Sequence, residues 1–350
     1  MKLLKDKINF NKLLKSLLTI LFAFIMGALA IFFSGKNAFE AYKVLFTTAL
    51  GDKVAIANTL LSATPLIFTG LGAAIAFRSG IFNVGVEGSL YLGAFAAAWV
   101  GFTFISLPGI ALIPLCFIAG AIIGGLWCFL PGLLKVFLDV DETVITLLLN
   151  YIAILFTTYL VLSPFAAPAV ANAMSPVIAP SAKLQRLVPP SQFNITFFLA
   201  LFSIIIVTII LKNLNLGYEI KTIGDNPIFA KWIGIPVNNV ILKIMLIGGM
   251  LGGIAGAGQI LGVHYRFIAN LSPGLGFTGI TIAILANNSP IGVLFASLLF
   301  GVLRNGGATM EMFTDVPRDM IRILEATIIL FTTINFSLEW LKSKKNVVKE

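Results

Sequence analysis

Apolar side chains follow one another in long runs along this chain, and polar and glycine-rich stretches fill the gaps. The one-face stripe of a surface helix and the alternation of a half-buried strand are both subordinate to these runs. A helix needs about 20 apolar residues to cross hydrocarbon. Runs of that order lie near residues 17–33, 54–77, 84–105, 109–130, 143–162, 194–211, 237–260, 289–304 and 318–337, with a shorter one near 277–287 that reads as a half-helix. The first run follows Lys2, Lys5, Lys7, Lys12 and Lys15, and Ala28 and Ala30 give it a weak cleavage-like pattern. Because it continues through Ile31, Phe32 and Phe33, it reads as an uncleaved anchor rather than a signal peptide.

Composition turns these runs into a class. Of 350 residues, 58% are hydrophobic and only 11% charged, against about 25% charged in a soluble domain. A globule of this size could not hide so much apolar surface, and a disordered chain could not keep it solvated. The expected fold is an all-α polytopic membrane protein of about 10 transmembrane helices. One membrane domain, 17–337, is flanked by basic segments 1–16 and 338–350, and 212–236 forms its longest loop on the basic side. The net charge of +9 marks cytoplasmic loops, not nucleic-acid binding. Placing the N-terminus inside gathers Arg78, Lys135, Lys212, Lys221, Lys231, Lys342, Lys344, Lys345 and Lys349 in the cytoplasm, while loop 163–193 falls outside with Lys183 and Arg186. Arg304, Arg318 and Arg322 run against that bias. Both termini are then cytoplasmic in a multi-pass plasma-membrane protein.

Little in the sequence supports covalent chemistry. Cys116 and Cys128 sit inside apolar runs without metal-type spacing, and His264 has no second His or Cys near it. Neither a catalytic residue, a metal nor a cofactor is expected. The phosphate-cradling motif GxxxxGK[ST] is absent, so ATP-driven work would have to come from a partner.

Three polar constellations interrupt the runs. In Ser79–Gly88, three glycines and Asn83 break a helix, and Glu87 is costly at depth unless it is paired or wet. The stretch reads as a re-entrant turn beside a solute path or as an interfacial loop whose Glu87 caps the next helix. In Asp141–Tyr151, Asp141 is an N-cap candidate, and Glu142, Thr146 and Asn150 share one helix face. For Asn150, a cavity-facing role and helix–helix hydrogen bonding stay equally open. The third, Gly217–Pro236, reads turn, short helix, turn: Asp225-Asn226-Pro227 supply a cap and first-turn proline, and Gly234 stops the helix. So short a helix is marginal alone, and Phe229, Trp232 and Ile233 offer an apolar face to a partner, a lipid surface being the competing reading. Finally, Gly85-Val86-Glu87-Gly88 and Gly276-Phe277-Thr278-Gly279 open apolar elements five apart. An odd offset sends the copies across in opposite senses, as in inverted transporter repeats with interrupted helices; chance similarity among 32 glycines competes.

Together these residues resemble the permease subunits of ATP-binding-cassette importers, in the branched-chain amino acid and simple sugar permease family, and most closely its nucleoside (guanosine-type) branch. Phe82 to Gly88 match a Phe-Asn-(Ile/Val)-Gly-x-Glu-Gly element. Asp141 to Tyr151 match Asn-Glu-Val-x-x-Thr-x-x-Leu-Asn-Tyr, with Asp141 for Asn and Thr143 for Val. Gly224 to Ile235 match Gly-x-Asn-Pro-x-Ala-Ala-x-x-x-Gly-Ile, with Phe229 in place of an alanine and Ala230 kept. Gly274 to Ile280 match Gly-x-Gly-Phe-Asp-Gly-Ile, but carry Thr278 where an acid is expected; Pro290-Ile291-Gly292 and Leu299-Phe300-Gly301 also fit.

The resemblance spans roughly residues 55–335 and implies a type II importer permease fold with an inverted repeat. It puts Asn83, Glu87, Thr146, Asn150 and Thr278 near the substrate path. It makes Gly224, Asp225, Asn226, Phe229, Ala230, Trp232 and Gly234 the element that couples to an ATPase. Its implied partners are a cytoplasmic ABC ATPase, a second, homologous permease forming a heterodimer, an extracellular substrate-binding lipoprotein and a nucleoside. Competing readings are a simple-sugar permease of the same family and an ion-coupled secondary carrier using Glu87 or Glu325 as a proton relay. A carrier has no need of a docking helix. An integral-membrane enzyme lacks any cluster of His, Asp or Cys.

Overall fold

The computed structural model describes residues 18, 20–168, 172–314, 316, 317, 320, 322–328, 330 and 331. The basic segments 1–16 and 338–350, and half of the run 318–337, lie outside them. Among the described residues the chain is helical: α1 (Ile20–Phe33), α2 (Ala38–Leu50), α3 (Lys53–Arg78), α4 (Val86–Thr103), α5 (Gly109–Leu138), α6 (Glu142–Leu162), α7 (Thr196–Asn213), α8 (Asn215–Asp225), α9 (Pro227–Trp232), α10 (Val237–Gln259), α11 (Leu275–Leu285) and α12 (Pro290–Thr314). Six of them (α3, α5, α6, α7, α10 with its π-helical extension to His264, and α12) are long and apolar enough to cross a bilayer. The protein is a polytopic all-α membrane protein. The 11-residue α11 is too short to cross alone, as the half-helix reading expects.

Two helices were not legible as elements. The 13-residue α2 starts from Asn37, whose side-chain oxygen accepts from the amides of Phe39 and Glu40. It is too short, and too exposed along one side, to register as a hydrophobic run. Residues Asn215–Asp225, read as a turn, form α8, which buries Gly217, Ile220 and Ile223 and leaves Lys221 exposed.

The chain folds as two compact units, residues 1–59 with 299–350 and residues 60–298. In the first, polar side chains tie helices together. Tyr42 Oη donates to the Phe24 carbonyl at 2.7 Å, and Thr59 Oγ1 to that of Ala49 at 2.8 Å. Asn305 Nδ2 donates to Ala55 O at 3.1 Å and to Thr59 Oγ1 at 3.0 Å. Arg304 pairs with Glu325 at 3.5 Å, both groups largely shielded.

The second unit is built round α4, which is buried from Val86 to Gly101 except at Trp99 and packs against α5, α6, α10 and α11. A helix enclosed on all sides can only be approached closely where side chains vanish. In membranes, where burying apolar groups gives no drive between helices, such close approach is the main source of packing energy. α10 supplies it with two glycine rows spaced four apart. Gly248, Gly252 and Gly256 face Gly72, Val86 and Leu90; Gly249 and Gly253 face Gly124 and Gly120 of α5. A Cβ on Gly252 would stand 3.0 Å from the Val86 carbonyl, and one on Gly124 2.7 Å from that of Gly249. Backbone meets backbone along both rows.

The loop 163–193 does not hang free. Ser175 donates its amide to the Phe267 carbonyl and accepts the Phe267 amide on its hydroxyl, both at 2.9 Å. Ala269 N–H reaches Ala173 O, Ile178 N–H reaches Tyr265 O, and Leu184 N–H reaches Leu261 O, each at 2.9 Å. Ile178, Ala179, Ala182, Leu184 and Phe193 are buried beneath this cap, and Ser175 is fully buried, whereas Gln185 and Arg186 are exposed.

Gly253→Leu should drive a side chain into the α5 backbone at Gly120, overpacking that costs at least about 1–3 kcal/mol. Fluorescence-detected gel filtration in mild detergent should show loss of the monodisperse peak, while Ile205→Leu on the exposed face of α7 keeps it. A wild-type profile for Gly253→Leu would show that the rows do not set the packing.

Candidate functional site

The site begins where α3 ends. Gly80 takes a left-handed φ of 79°, and the Gly80 amide reaches Phe77 O while the Ile81 amide reaches Ala76 O, which closes the helix and turns the chain into a break between α3 and α4. From Ile81 to Gly85 the backbone is non-helical, and α4 starts at Val86. Backbone groups freed by a buried break must be satisfied by the protein itself, and α6 does so. Asn150 Oδ1 accepts from Gly88 N–H at 2.8 Å while its Nδ2 donates to Val84 O at 3.0 Å. One turn away, Thr146 Oγ1 accepts from Val84 N–H at 3.2 Å. Within the break, Asn83 Oδ1 accepts from Gly85 N–H at 2.8 Å, and its amide group lies beside Cys128, on which Ser89 Oγ also rests at 3.1 Å.

Glu87 joins this break to a second one. Its Oε2 accepts the backbone N–H of Gly276, in the first turn of α11. A Cβ at Gly276 would lie 2.5 Å from the Glu87 amide nitrogen, so the two helix starts touch backbone to backbone. A carboxylate between two helix N-termini sits where both partial positive ends favour it. The contact is reinforced on both sides. Tyr91 Oη and Ser272 share bonds of 3.1 and 3.2 Å, Ser272 Oγ accepts from Leu275 N–H at 2.9 Å, and Thr69 Oγ1 of α3 donates to Leu275 O at 3.2 Å. Thr278 lies in the same first turn, where its hydroxyl donates to Gly274 O at 3.0 Å.

The structure therefore gathers Asn83, Glu87, Thr146 and Asn150, each no more than 1% exposed, around the meeting of α4 and α11. Thr278 is the nearest of the sequence-read residues on the α11 side. Glu142, which shares their helix face, ends outside the cluster and pairs with Lys135 at 3.3 Å. Asp141 is the cap that its position suggested, accepting from Thr143 and Val144 N–H at 2.9 and 3.0 Å. Those backbone bonds hold its carboxyl below the ordinary carboxylate range. Tyr91, Ser272 and Thr69 were missed; Tyr91 and Thr69 lie within apolar runs and Ser272 in the gap between two, and only the fold brings them to the junction. Both cysteines are buried and free, and among the described residues no group of three His, Cys, Asp or Glu could hold a metal ion.

The second cluster is the hairpin of α8 and α9. Asn226 alone is the cap: its Oδ1 accepts from Phe229 N–H at 3.0 Å, with Pro227 at the first helical position. Asp225, read as part of that cap, instead ends α8. Gly234, at φ 85°, closes α9 with bonds from its own amide to Lys231 O and from Ile235 N–H to Ala230 O. Ala230 is fully buried and anchors the helix, whereas Ile228, Phe229, Trp232 and Ile233 are exposed, Trp232 by 85%. Beside them a groove of about 990 Å³ runs between α9 and the start of α10, walled by Ile228, Lys231, Trp232, Ile235 and Val237.

Known proteins resemble the chain along nearly its full length. A family model described as branched-chain amino acid transport system / permease component matches residues 55–333. The nucleoside ABC transporter permease protein NupB of Lactococcus lactis is 33% identical, covering 97% of this chain and 95% of that protein. The guanosine ABC transporter permease protein NupP of Bacillus subtilis is likewise 33% identical, over 95% of this chain and 97% of its own. The glucose ABC transporter permease protein TsgB13 of Haloferax volcanii is 33% identical over 90% and 85%. No solved structure matches. The chain belongs to the family of branched-chain amino acid transport system permease components.

Proposed function

We propose that this protein is the membrane permease of an ATP-binding-cassette importer that carries nucleosides into the cell. The observation that carries the reading is α9: an ion-coupled carrier has no use for a rigid, capped helix with Phe229 and Trp232 bare, whereas a permease that contains no phosphate-binding loop must receive force from an ATPase. Aromatic anchors of this kind dominate protein interfaces. The cargo class follows the NupB and NupP relatives, both named as nucleoside or guanosine permeases. A sugar cargo, which goes with the Haloferax relative, is the second reading, and glucose competition separates the two.

In this reading the transporter also comprises a second permease, as the relatives NupC and NupQ beside NupB and NupP suggest, a cytoplasmic ATPase and an extracellular binding lipoprotein. The single membrane domain covers 17–337, with about ten transmembrane helices, both termini and the coupling loop 212–236 in the cytoplasm, and the loop 163–193 outside. The meeting of α4 and α11, start to start, supports the inverted repeat. Asn83, Glu87, Thr146, Asn150 and Thr278 frame the substrate path by fixing the two helix breaks beside it.

Phe229→Asp should insert normally but lose both guanosine uptake and co-purification of the ATPase, since a charge buried unpaired in that contact costs several kcal/mol. Normal uptake with the ATPase retained would remove α9 from the coupling site. Glu87→Gln keeps an acceptor for Gly276 N–H and removes the charge, so insertion should persist while uptake falls; wild-type uptake kinetics would take Glu87 away from the path. Asn150→Leu strands Gly88 N–H and Val84 O, at about 1–3 kcal/mol each, and its apparent melting temperature in detergent should drop well below that of Glu87→Gln. For topology, a membrane-impermeant maleimide should label Gln185→Cys in intact cells and spare Lys221→Cys, a clean assay because both native cysteines are buried. Ser175, although in the outer loop, is unsuitable because it is buried. The reverse labelling pattern would overturn the orientation.

A further inference from the structure

The α8–α9 hairpin meets the end of α3, where the polar break begins, backbone to backbone. Gly224, at the end of α8, lies against the carbonyl group of Arg78 so closely that a Cβ there would collide with the Arg78 carbonyl oxygen, with its carbon 3.0 Å away and Ser79 Cα 3.3 Å away. Gly80 faces back from the other side, 3.9 Å from Gly224 Cα as measured from its own ideal Cβ. These are backbone atoms, so neither side can yield by rotating a side chain. Ser79 is pinned in turn, because its hydroxyl donates to Ala76 O at 2.7 Å. Two residues along, Ile81 packs with Ile241 and Met245 of α10 in a small buried cluster to which Val136 and Val237 contribute. Val237 also walls the groove beside α9. Two residues beyond Ile81 stands Asn83, and six beyond it Glu87.

We propose that the corner Arg78–Ile81 is the transmission element of this transporter: a shift of α8–α9 is passed through Gly224 and the Ile81 cluster into the helix break that carries Asn83 and Glu87, and so to the junction with α11. The proposal rests on the importer reading above and adds the route by which force reaches the membrane interior. A rigid backbone-to-backbone contact on one side and a packed apolar cluster on the other form a lever with two arms. Both move the same five-residue segment, which has no helix of its own to absorb the motion. Arg78 to Ile81 and Gly224 are therefore positioning residues, acting on the path through Asn83 and Glu87 without touching cargo.

The test reads a ratio. The intact transporter, with its ATPase, second permease and binding protein, is reconstituted in vesicles, and ATP hydrolysis is measured alongside uptake of radiolabelled guanosine. Ile81→Ala leaves α9 and its aromatic face untouched, so hydrolysis should continue while guanosine carried per ATP falls about tenfold, within the range that changes along a coupled contact chain produce. Gly224→Ala, which wedges the contact instead of loosening the cluster, should lower the same ratio. Lost folding alone would lower both activities together and leave the ratio at its wild-type value, and that outcome for Ile81→Ala overturns the proposal, as does full uptake with full hydrolysis. If Gly224→Ala does not assemble, Ile81→Ala decides alone. If the wild-type complex hydrolyses ATP but moves no guanosine, or binds no ATPase, the importer reading fails first and the relay falls with it.

Discussion

The architecture of the larger unit depends on how near α10 can come to its neighbours. Lipid tails are as apolar as leucine side chains, so burying more leucine would draw these helices together no better than leaving them in lipid. Bare backbone does what bulk cannot. Two glycine rows on opposite flanks of α10 let it seat against the Gly72, Val86 and Leu90 backbone on one flank and against α5 on the other. With α4 thus sealed by neighbours, the polar break at its start is held away from lipid, and everything argued about Asn83 and Glu87 presupposes that seal.

Within that seal the polar side chains are spent on the main chain. Asn150 satisfies one donor and one acceptor flanking the break, Thr146 a second donor, and Glu87 a donor on a different helix. A broken helix in hydrocarbon would otherwise strand several backbone groups, each at a cost comparable to a whole interface contact. The arrangement makes the break stiff and reproducible.

Much of this was written in the sequence where the signal is local. The break at Ser79–Gly88, the half-length α11, Asp141 as a cap, and the Pro227 start and Gly234 stop of α9 all follow from the conformational habits of particular residues within a few positions. The matched family motifs carried the function. What was hidden is non-local. The partner of Glu87 lies 189 residues away, and the loop 163–193 is turned into a cap by bonds to residues 261–269 that no composition announces. The glycine rows were visible as a four-residue repeat, yet in a glycine-rich chain that repeat gains meaning only once the facing glycines of α5 are known. α8 was lost because its apolar stripe is just three residues, Gly217, Ile220 and Ile223.

The span of the Glu87 bond has a consequence for biogenesis. Chains are made from the N-terminus, and domains take shape as they emerge. The bonds from Asn150 to the α4 break close over 62 and 66 residues, so this clasp can form while the second half of the protein is still on the ribosome. The glycine rows can close only after α10 has entered the bilayer, and the bond to Gly276 later still. Assembly is thus ordered: the break is shaped first, then enclosed, and its acidic residue meets α11 last. A chain made only as far as residue 275 carries both partners of the Asn150 clasp but lacks the Gly276 amide that Glu87 accepts, so the two helix starts can be joined only at the end of synthesis.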